Sequence, residues 1–105
     1  RAISWLKENY KEPLRVEKLA GQTNMAPSTF HKYFKQITTL SPLQYQKRLR
    51  LSEAQRLMLS GGHDVTQAAF AVGYESPTQF IREYKRLFGN PPRRNVMRMK
   101  GALSA

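Results

Sequence analysis

Apolar residues recur along most of the chain with the three-to-four-residue spacing that is typical of amphipathic helices, and no segment alternates convincingly with the period of a strand. A first helix is expected to end before Pro13. A short second helix closes near Asn24, a residue that tolerates the left-handed conformation of a tight turn. A third helix begins at Pro27. Its inward face is expected to consist of Phe30, Tyr33, Phe34 and Ile37.

Capping signals predict where the later helices begin and end. A serine followed by proline, at Ser41 and again at Ser76, predicts the start of a long helix that runs to about Ser60 and of a later helix that ends at Gly89. Asp64 caps a short helix between them. The inward positions are Leu51, Ala54, Leu57 and Met58 in the long helix and Phe80, Tyr84 and Leu87 in the later one. We therefore expect an all-α fold with about seven helices.

The second half of the chain repeats the first. Residues 16–42 match residues 65–92, with an offset of 49 positions before the tight turn and 50 after it. Asn24 therefore corresponds to Gly73, and Phe30 to Phe80. Each copy consists of a short helix, a tight turn and a second helix with basic residues on its outer side. A repeated unit of this kind in a positively charged chain indicates two reading elements for one DNA double helix.

The outer face of the second helix in each copy carries side chains that suit the major groove. Arginine and lysine pair with guanine, glutamine pairs with adenine, serine and threonine reach several base edges, and isoleucine contacts the thymine methyl group. The candidate DNA-binding residues are Ser28, His31, Lys32, Lys35, Thr78, Gln79, Ile81, Arg82, Lys85 and Arg86. Any solvated helix shows basic residues opposite an apolar face, so one such helix is weak evidence for DNA binding. The prediction of DNA binding depends on the recurrence of basic residues at the same helical phase in both copies.

The starts of these two helices, at Pro27 and Ser76, are candidate phosphate contacts. Unpaired backbone N–H groups and the positive end of the helix dipole favour an anion there. Ser76 has two interpretations: its side chain only caps its own helix, or a phosphate is also held at that position.

The charge of the chain favours a polyanionic partner. Lysine and arginine number 18 against 7 aspartates and glutamates, which gives a formal net charge of +11. The absence of cysteine excludes thiol catalysis, disulfides and cysteine-ligated zinc, and it fits a reducing compartment. No apolar run is long enough to span a bilayer. We expect a soluble, cytoplasmic protein with no cofactor, no metal and no membrane partner.

Other function classes fit the sequence less well. An enzyme is disfavoured because His31 and His63 are far apart and no catalytic or metal-binding constellation accompanies them; His63 is interpreted as an exposed linker residue. A helical protein-interaction module, with basic faces that are only solvated surface, is the main alternative. Most aromatic residues fall on inward faces, however, and only Tyr10, Tyr33 and Tyr74 are ambiguous. RNA binding and membrane-surface binding are weaker alternatives.

Two stretches of the chain resemble the DNA-binding domain of the AraC/XylS transcription regulators. The first comprises Ser41-Pro42-Leu43-Gln44-Tyr45, Arg50-Leu51, Ala54 and Leu57-Met58-Leu59. The second comprises Ala69, Gly73-Tyr74-Glu75-Ser76, Phe80, Arg82, Tyr84-Lys85, Phe88-Gly89 and Pro92. The resemblance covers roughly residues 2–95. The chain departs from the family pattern at Ala26, Thr39, Ala68 and Asn95, where serine, glycine, isoleucine and an aromatic residue are common.

The resemblance implies two homeodomain-like helix-turn-helix subdomains, residues 1–40 and 61–105, joined by a linker helix over residues 41–60. The third and sixth helices are then recognition helices that enter successive major-groove segments about 34 Å apart. The resemblance further implies a bacterial regulator, bound to the nucleoid, with an N-terminal domain that senses a signal or dimerises. Contact with RNA polymerase is implied for an activator. The isolated domain is expected to be a monomer, and its basic tail, residues 93–105, either lies on phosphates or is disordered.

Overall fold

The computed structural model describes residues 2–104, with side chains to residue 102, and this part of the chain contains seven helices and no strand. The helices are α1 (Ala2–Asn9), α2 (Val16–Gly21), α3 (Pro27–Thr38), α4 (Pro42–Leu59), α5 (Val65–Ala71), α6 (Pro77–Phe88) and α7 (Pro92–Ser104). The predicted all-α fold is thus confirmed. The chain divides into two compact units, Arg1–Leu49 and Arg50–Ala105, and α4 contributes to both.

The core of the first unit is built where α1, α2 and α3 meet the start of α4. Its buried residues are Leu6, Leu19, Ala20, Phe30 and Phe34. The ring of Phe34 meets Tyr45 of α4 edge-on, with 5.6 Å between the ring centroids. The side chain of Gln46 is also buried, and its Nε2 donates to the backbone oxygens of Tyr10 at 3.2 Å and Glu12 at 2.6 Å. This amide holds the segment between α1 and α2 against α4.

The inward face predicted for α3 is correct for Phe30 and Phe34 and wrong for two other residues. Tyr33 is 49% exposed and Ile37 is 74% exposed. Both side chains line a shallow groove that also includes Ile3 of α1. The apolar period identifies a face of a helix, but the neighbouring helices decide how much of that face is covered, and here it stays open towards the C-terminal end of α3.

The core of the second unit includes buried residues from the C-terminal half of α4, from α5 and from α6. Leu51, Ala54 and Met58 are buried as predicted, whereas Leu57 and Leu87 are only half-buried. Four aromatic rings form a continuous series through this core. The centroid distances are 5.4 Å from Tyr74 to Phe80, 5.7 Å from Phe80 to Tyr84 and 4.4 Å from Tyr84 to Phe88.

The basic tail, for which the sequence left disorder open, forms α7 as far as Ser104 and packs on α6, and Ala105 lies outside the described residues. The Oδ1 of Asn95 in α7 accepts a hydrogen bond from the Tyr84 hydroxyl at 2.7 Å. The Nε2 of Gln55 in α4 donates to that same Oδ1 at 3.0 Å and to the Tyr84 hydroxyl at 3.2 Å. A side-chain triad therefore connects α4, α6 and α7 within this unit.

Between residues 2 and 104, no helix is long and apolar enough to cross a membrane.

Candidate nucleic-acid interface

The repeat in the sequence is matched by equivalent backbone hydrogen bonds in the two tight turns. In the first copy the amide of Met25 donates to the oxygen of Ala20 at 3.3 Å, and in the second the amide of Tyr74 donates to the oxygen of Ala69 at 3.0 Å. Asn24 has φ of 61° and Gly73 has φ of 102°, so both adopt the positive φ expected of the turn residue. Each turn directs the chain from a short helix into the helix that carries the candidate reading face.

The two candidate recognition helices begin in the same way but are capped differently. Both have proline in the first turn, at Pro27 and Pro77. The Oγ of Ser76 accepts from the Gln79 backbone amide at 3.2 Å, which confirms the predicted cap of α6. Ala26 precedes α3 and provides no side-chain cap. The first turn of α3 therefore lacks the acceptor that Ser76 provides in α6. Phosphate contacts at Pro27 and Ser76 stay a prediction.

The helix ends show a second difference between the copies. The backbone amide of the C-cap residue Thr39 donates to the backbone oxygen of Lys35 at 2.8 Å. In the second copy the amide of Gly89 donates to the backbone oxygen of Lys85 at the same distance. Both residues are left-handed, with φ of 66° for Thr39 and 85° for Gly89. A threonine is strained in this conformation and a glycine is not.

The four candidate residues of the first reading face all lie exposed on α3. They are Ser28, His31, Lys32 and Lys35. The ring of His31 lies edge-on to Phe30, with 6.4 Å between the centroids, which places the imidazole at the border between the core and the exposed face. The structure thus presents this set of side chains to solvent along one helix.

The six candidate residues of the second reading face are likewise exposed on α6. They are Thr78, Gln79, Ile81, Arg82, Lys85 and Arg86, with Ile81 38% exposed. Arg82, Lys85 and Arg86 give this helix three positive charges against one acidic residue, Glu83. The face combines groups that bind phosphate, groups that bind base edges and one apolar side chain.

A cluster around Glu83 connects this face to the interior of the second unit. One carboxylate oxygen accepts from the Tyr74 hydroxyl at 2.6 Å, and the other accepts from Nε2 of Gln79 at 3.0 Å. The guanidinium carbon of Arg50 in α4 lies 5.7 Å from the centroid of the Tyr74 ring. This cluster was not predicted from the sequence, although the four-residue spacing of Gln79 and Glu83 on a helix is a signal for their contact.

Burial perturbs two titrating groups in the cluster. It raises the pKa of Tyr74, and the hydrogen bond to the Glu83 carboxylate and the charge of that carboxylate raise the pKa further. Burial also lowers the pKa of the Arg50 guanidinium, an effect opposed by its attraction to Tyr74 and Glu83. At neutral pH the Tyr74 phenol therefore keeps its proton and acts as a donor to Glu83.

No metal centre is formed by the described part of the chain, where no three histidine, cysteine, aspartate or glutamate residues group suitably. His63 is half-buried, so its interpretation as an exposed linker residue was wrong, and its Nδ1 is buried without a hydrogen-bond partner. It borders an open pocket of about 440 Å³ that includes Asp64, Arg93 and Lys100. This pocket lies beside α5 and α7.

Comparisons with known proteins identify the family. A family profile described as "Helix-turn-helix domain" matches residues 19–96. The chain is 34% identical over 91 residues to the HTH-type transcriptional activator RhaS of Salmonella schwarzengrund, covering 87% of this chain and 33% of RhaS. RhaS of Pectobacterium atrosepticum is 32% identical over the same length and share of each chain. The chain belongs to the AraC/XylS family of helix-turn-helix domains.

Solved structures of transcription regulators have the same fold. A probable AraC family transcriptional regulator from Rhodopseudomonas palustris matches with a TM-score of 0.81 and 29% identity over 92% of both chains. The DNA-binding domain of AdpA, solved in complex with a target DNA, matches with a TM-score of 0.85 and 28% identity over 96% of this chain and 91% of that one. This is a family of transcription regulators and not of enzymes. The chain spans about a third of the length of the curated relatives it matches.

Proposed function

We propose that this chain is the sequence-specific, double-stranded DNA-binding domain of a transcription regulator, with α3 and α6 as recognition helices in adjacent major-groove segments. The observation that carries the proposal is the repeated helix-turn-helix unit. Both copies have the same backbone hydrogen bond across the turn, and both expose basic residues at equivalent positions, such as Lys32 and Arg82. The AraC/XylS family membership and the AdpA complex support it.

The side chains divide into base-reading and phosphate-binding groups. We assign Lys32 and Arg82 to base edges because they lie at the centre of each exposed face. The same role is proposed for Ser28, His31, Thr78, Gln79 and Ile81. Lys35, Lys85 and Arg86 lie further along the helices, and the helix starts at Pro27 and Ser76 have backbone amides for phosphate. The two faces differ in chemistry, so the expected site is directional and not a palindrome.

The electrostatic part of the proposal is tested by titrating a labelled duplex with the chain at several salt concentrations. Each phosphate neutralised by lysine or arginine contributes about −0.9 to the slope of log K against log salt concentration. Several such contacts produce a steep negative slope. A flat response would exclude binding through the two basic faces.

The proposed base specificity is tested with Arg82→Ala and a matched control variant, Arg48→Ala. The control removes the same charge from an exposed position outside both proposed recognition helices. We expect Arg82→Ala to relax the base preference at about one position of the site, at a cost of roughly 1–3 kcal/mol for the preferred sequence. Arg48→Ala leaves the ratios between sequences unchanged. If Arg82→Ala weakened binding to all sequences equally, Arg82 would be a phosphate contact and its assignment wrong.

Selection of bound sites from random duplex DNA measures the length, asymmetry and half-site spacing of the site together. The isolated domain is proposed to bind as a monomer, and a palindromic consensus would contradict this.

For the whole protein we propose an N-terminal domain that senses a signal or dimerises, because the RhaS relatives are about three times as long as the matched region. Contact with RNA polymerase is proposed for the whole protein because these relatives are transcriptional activators.

A further inference from the structure

Glu83 is the acidic residue of α6, and its carboxylate lies against an outward-facing residue of the proposed reading face. One oxygen accepts from the amide nitrogen of Gln79, and the other accepts from the hydroxyl of Tyr74. Tyr74 is only 5% exposed and packs edge-on against Phe80 with 5.4 Å between the centroids. The carboxylate is therefore anchored from the interior, and it in turn fixes Gln79.

The chemistry of a carboxylate determines which end of the Gln79 amide points towards it. An ionised carboxylate only accepts hydrogen bonds, so the NH₂ group of Gln79 faces Glu83 and the carbonyl Oε1 faces away. Among the described residues, none donates to this Oε1, and the second N–H of the amide also has no acceptor. Gln79 consequently presents one acceptor and one donor to solvent, in a fixed orientation.

An acceptor beside a donor is the complement of adenine in the major groove, where N6–H₂ donates and N7 accepts. Guanine presents O6 and N7, which both accept, and would place an acceptor against the Gln79 carbonyl. We propose that Glu83 is a positioning residue that determines specificity by restricting Gln79 to adenine. This inference rests on the proposed function, because it requires α6 to enter the major groove.

The test compares the chain with Glu83→Gln, which has nearly the same shape. An amide at position 83 either accepts from Gln79 or donates to it, so both orientations of Gln79 become available. When the oxygen of this amide accepts from Tyr74, its NH₂ group faces Gln79; when its oxygen accepts from Gln79, its NH₂ group faces the Tyr74 hydroxyl, which can then act as acceptor. Binding constants are measured on four duplexes that differ only at the base pair read by Gln79, a position located by comparing selected sites of the chain and of Gln79→Ala.

We expect the chain to prefer adenine at this position by about 10-fold or more, and Glu83→Gln to reduce this preference to within about threefold. Preferences at the other positions are unchanged. The preference is a ratio of binding constants, so the loss of a negative charge, which strengthens binding to every sequence, cancels. Glu53→Gln on α4 removes the same charge away from Gln79 and is expected to leave the ratio unchanged.

Tyr74→Phe provides a second variant if Glu83→Gln folds poorly, as judged by thermal unfolding. It retains the ionised carboxylate, removes the hydrogen bond that anchors it, and is expected to produce an intermediate preference. The inference is overturned if Glu83→Gln retains the full adenine preference, if it changes all positions equally, or if it has the same effect in a Gln79→Ala background. A chain that binds no duplex at all would overturn the proposed function as well.

Discussion

Thr39 holds a conformation that costs free energy, and replacing it with glycine is expected to stabilise the first unit. It is the C-cap of α3 with φ of 66° and ψ of 0°, the left-handed region in which a β-branched side chain is disfavoured by roughly 1–2 kcal/mol. Glycine adopts this region freely, but it makes the unfolded chain more flexible, which offsets about 0.4–1 kcal/mol. The side chain of Thr39 is exposed, and its Oγ1 donates to the backbone oxygen of the adjacent Thr38, so little burial is lost and water can replace the hydrogen bond. The net gain is about 0.5–1 kcal/mol.

Fluorescence of Trp5 is the appropriate assay because it is the single tryptophan of the chain and packs on the core of the first unit. A gain of this size raises the unfolding midpoint by about 2–8 °C for a domain of this length. The reciprocal variant is Gly89→Thr at the C-cap of α6, where φ is 85° and an added Cβ meets no atom within 4 Å. Its free-energy cost therefore comes from the backbone conformation and not from a steric clash. Far-UV circular dichroism is expected to show a destabilisation similar in size to the gain for Thr39→Gly.

Thr39→Asn is a graded control, since asparagine tolerates positive φ better than threonine and less well than glycine. Its midpoint is expected to fall between those of threonine and glycine. If Thr39→Gly instead lowered the midpoint, backbone strain would not be the dominant effect at this position, and the threonine side chain would be contributing more than its exposure indicates.

Three further predictions concern the stability of the two units. Tyr84→Phe is expected to reduce the free energy of unfolding by about 1 kcal/mol in a urea titration, because Gln55 and Asn95 still bond to each other after the hydroxyl is lost. Burial raises the pKa of Tyr74, so the folded state keeps a proton that the unfolded chain releases above about pH 10; stability is therefore fully present below that pH and falls as the pH rises past it. Urea midpoints measured across this range are expected to fall less steeply for Tyr74→Phe. Ile37→Lys is expected to change stability by less than about 0.5 kcal/mol in the same assay, since the side chain is 74% exposed; a larger loss would mean that it is packed.

Features that depend on a few neighbouring residues were predictable from the sequence. The caps at Ser41 and Asp64 are examples: in each, the side chain accepts from the backbone amide three residues later, and the glutamine at that position bonds back to the capping residue. These hydrogen bonds form within one turn of helix, so residue type and spacing are sufficient to predict them. The left-handed turn at Asn24 was predictable for the same reason.

Features that depend on contacts between distant segments were not predictable. The burial of Gln46 comes from its hydrogen bonds to Tyr10 and Glu12, which lie 36 and 34 positions away in the chain. The periodicity of α3 placed Ile37 inside, but the side chain is 74% exposed in the folded chain. The spacing of apolar residues describes one helix and contains no information about the length and position of the neighbouring helices.

The sequence by itself determined helices α1 to α6, the repeated helix-turn-helix unit and the residue types on the two exposed faces, because caps, turns and apolar periods act over a few residues. The tertiary structure decided which apolar positions are buried and how the polar groups are paired. It alone brings Tyr74 to Glu83, whereas the contact of Glu83 with Gln79 follows from their four-residue spacing on α6, and the two bonds together orient an amide on the proposed reading face. A fixed hydrogen-bond direction requires partners held in place by the packing of the core, and residue types alone do not specify that packing.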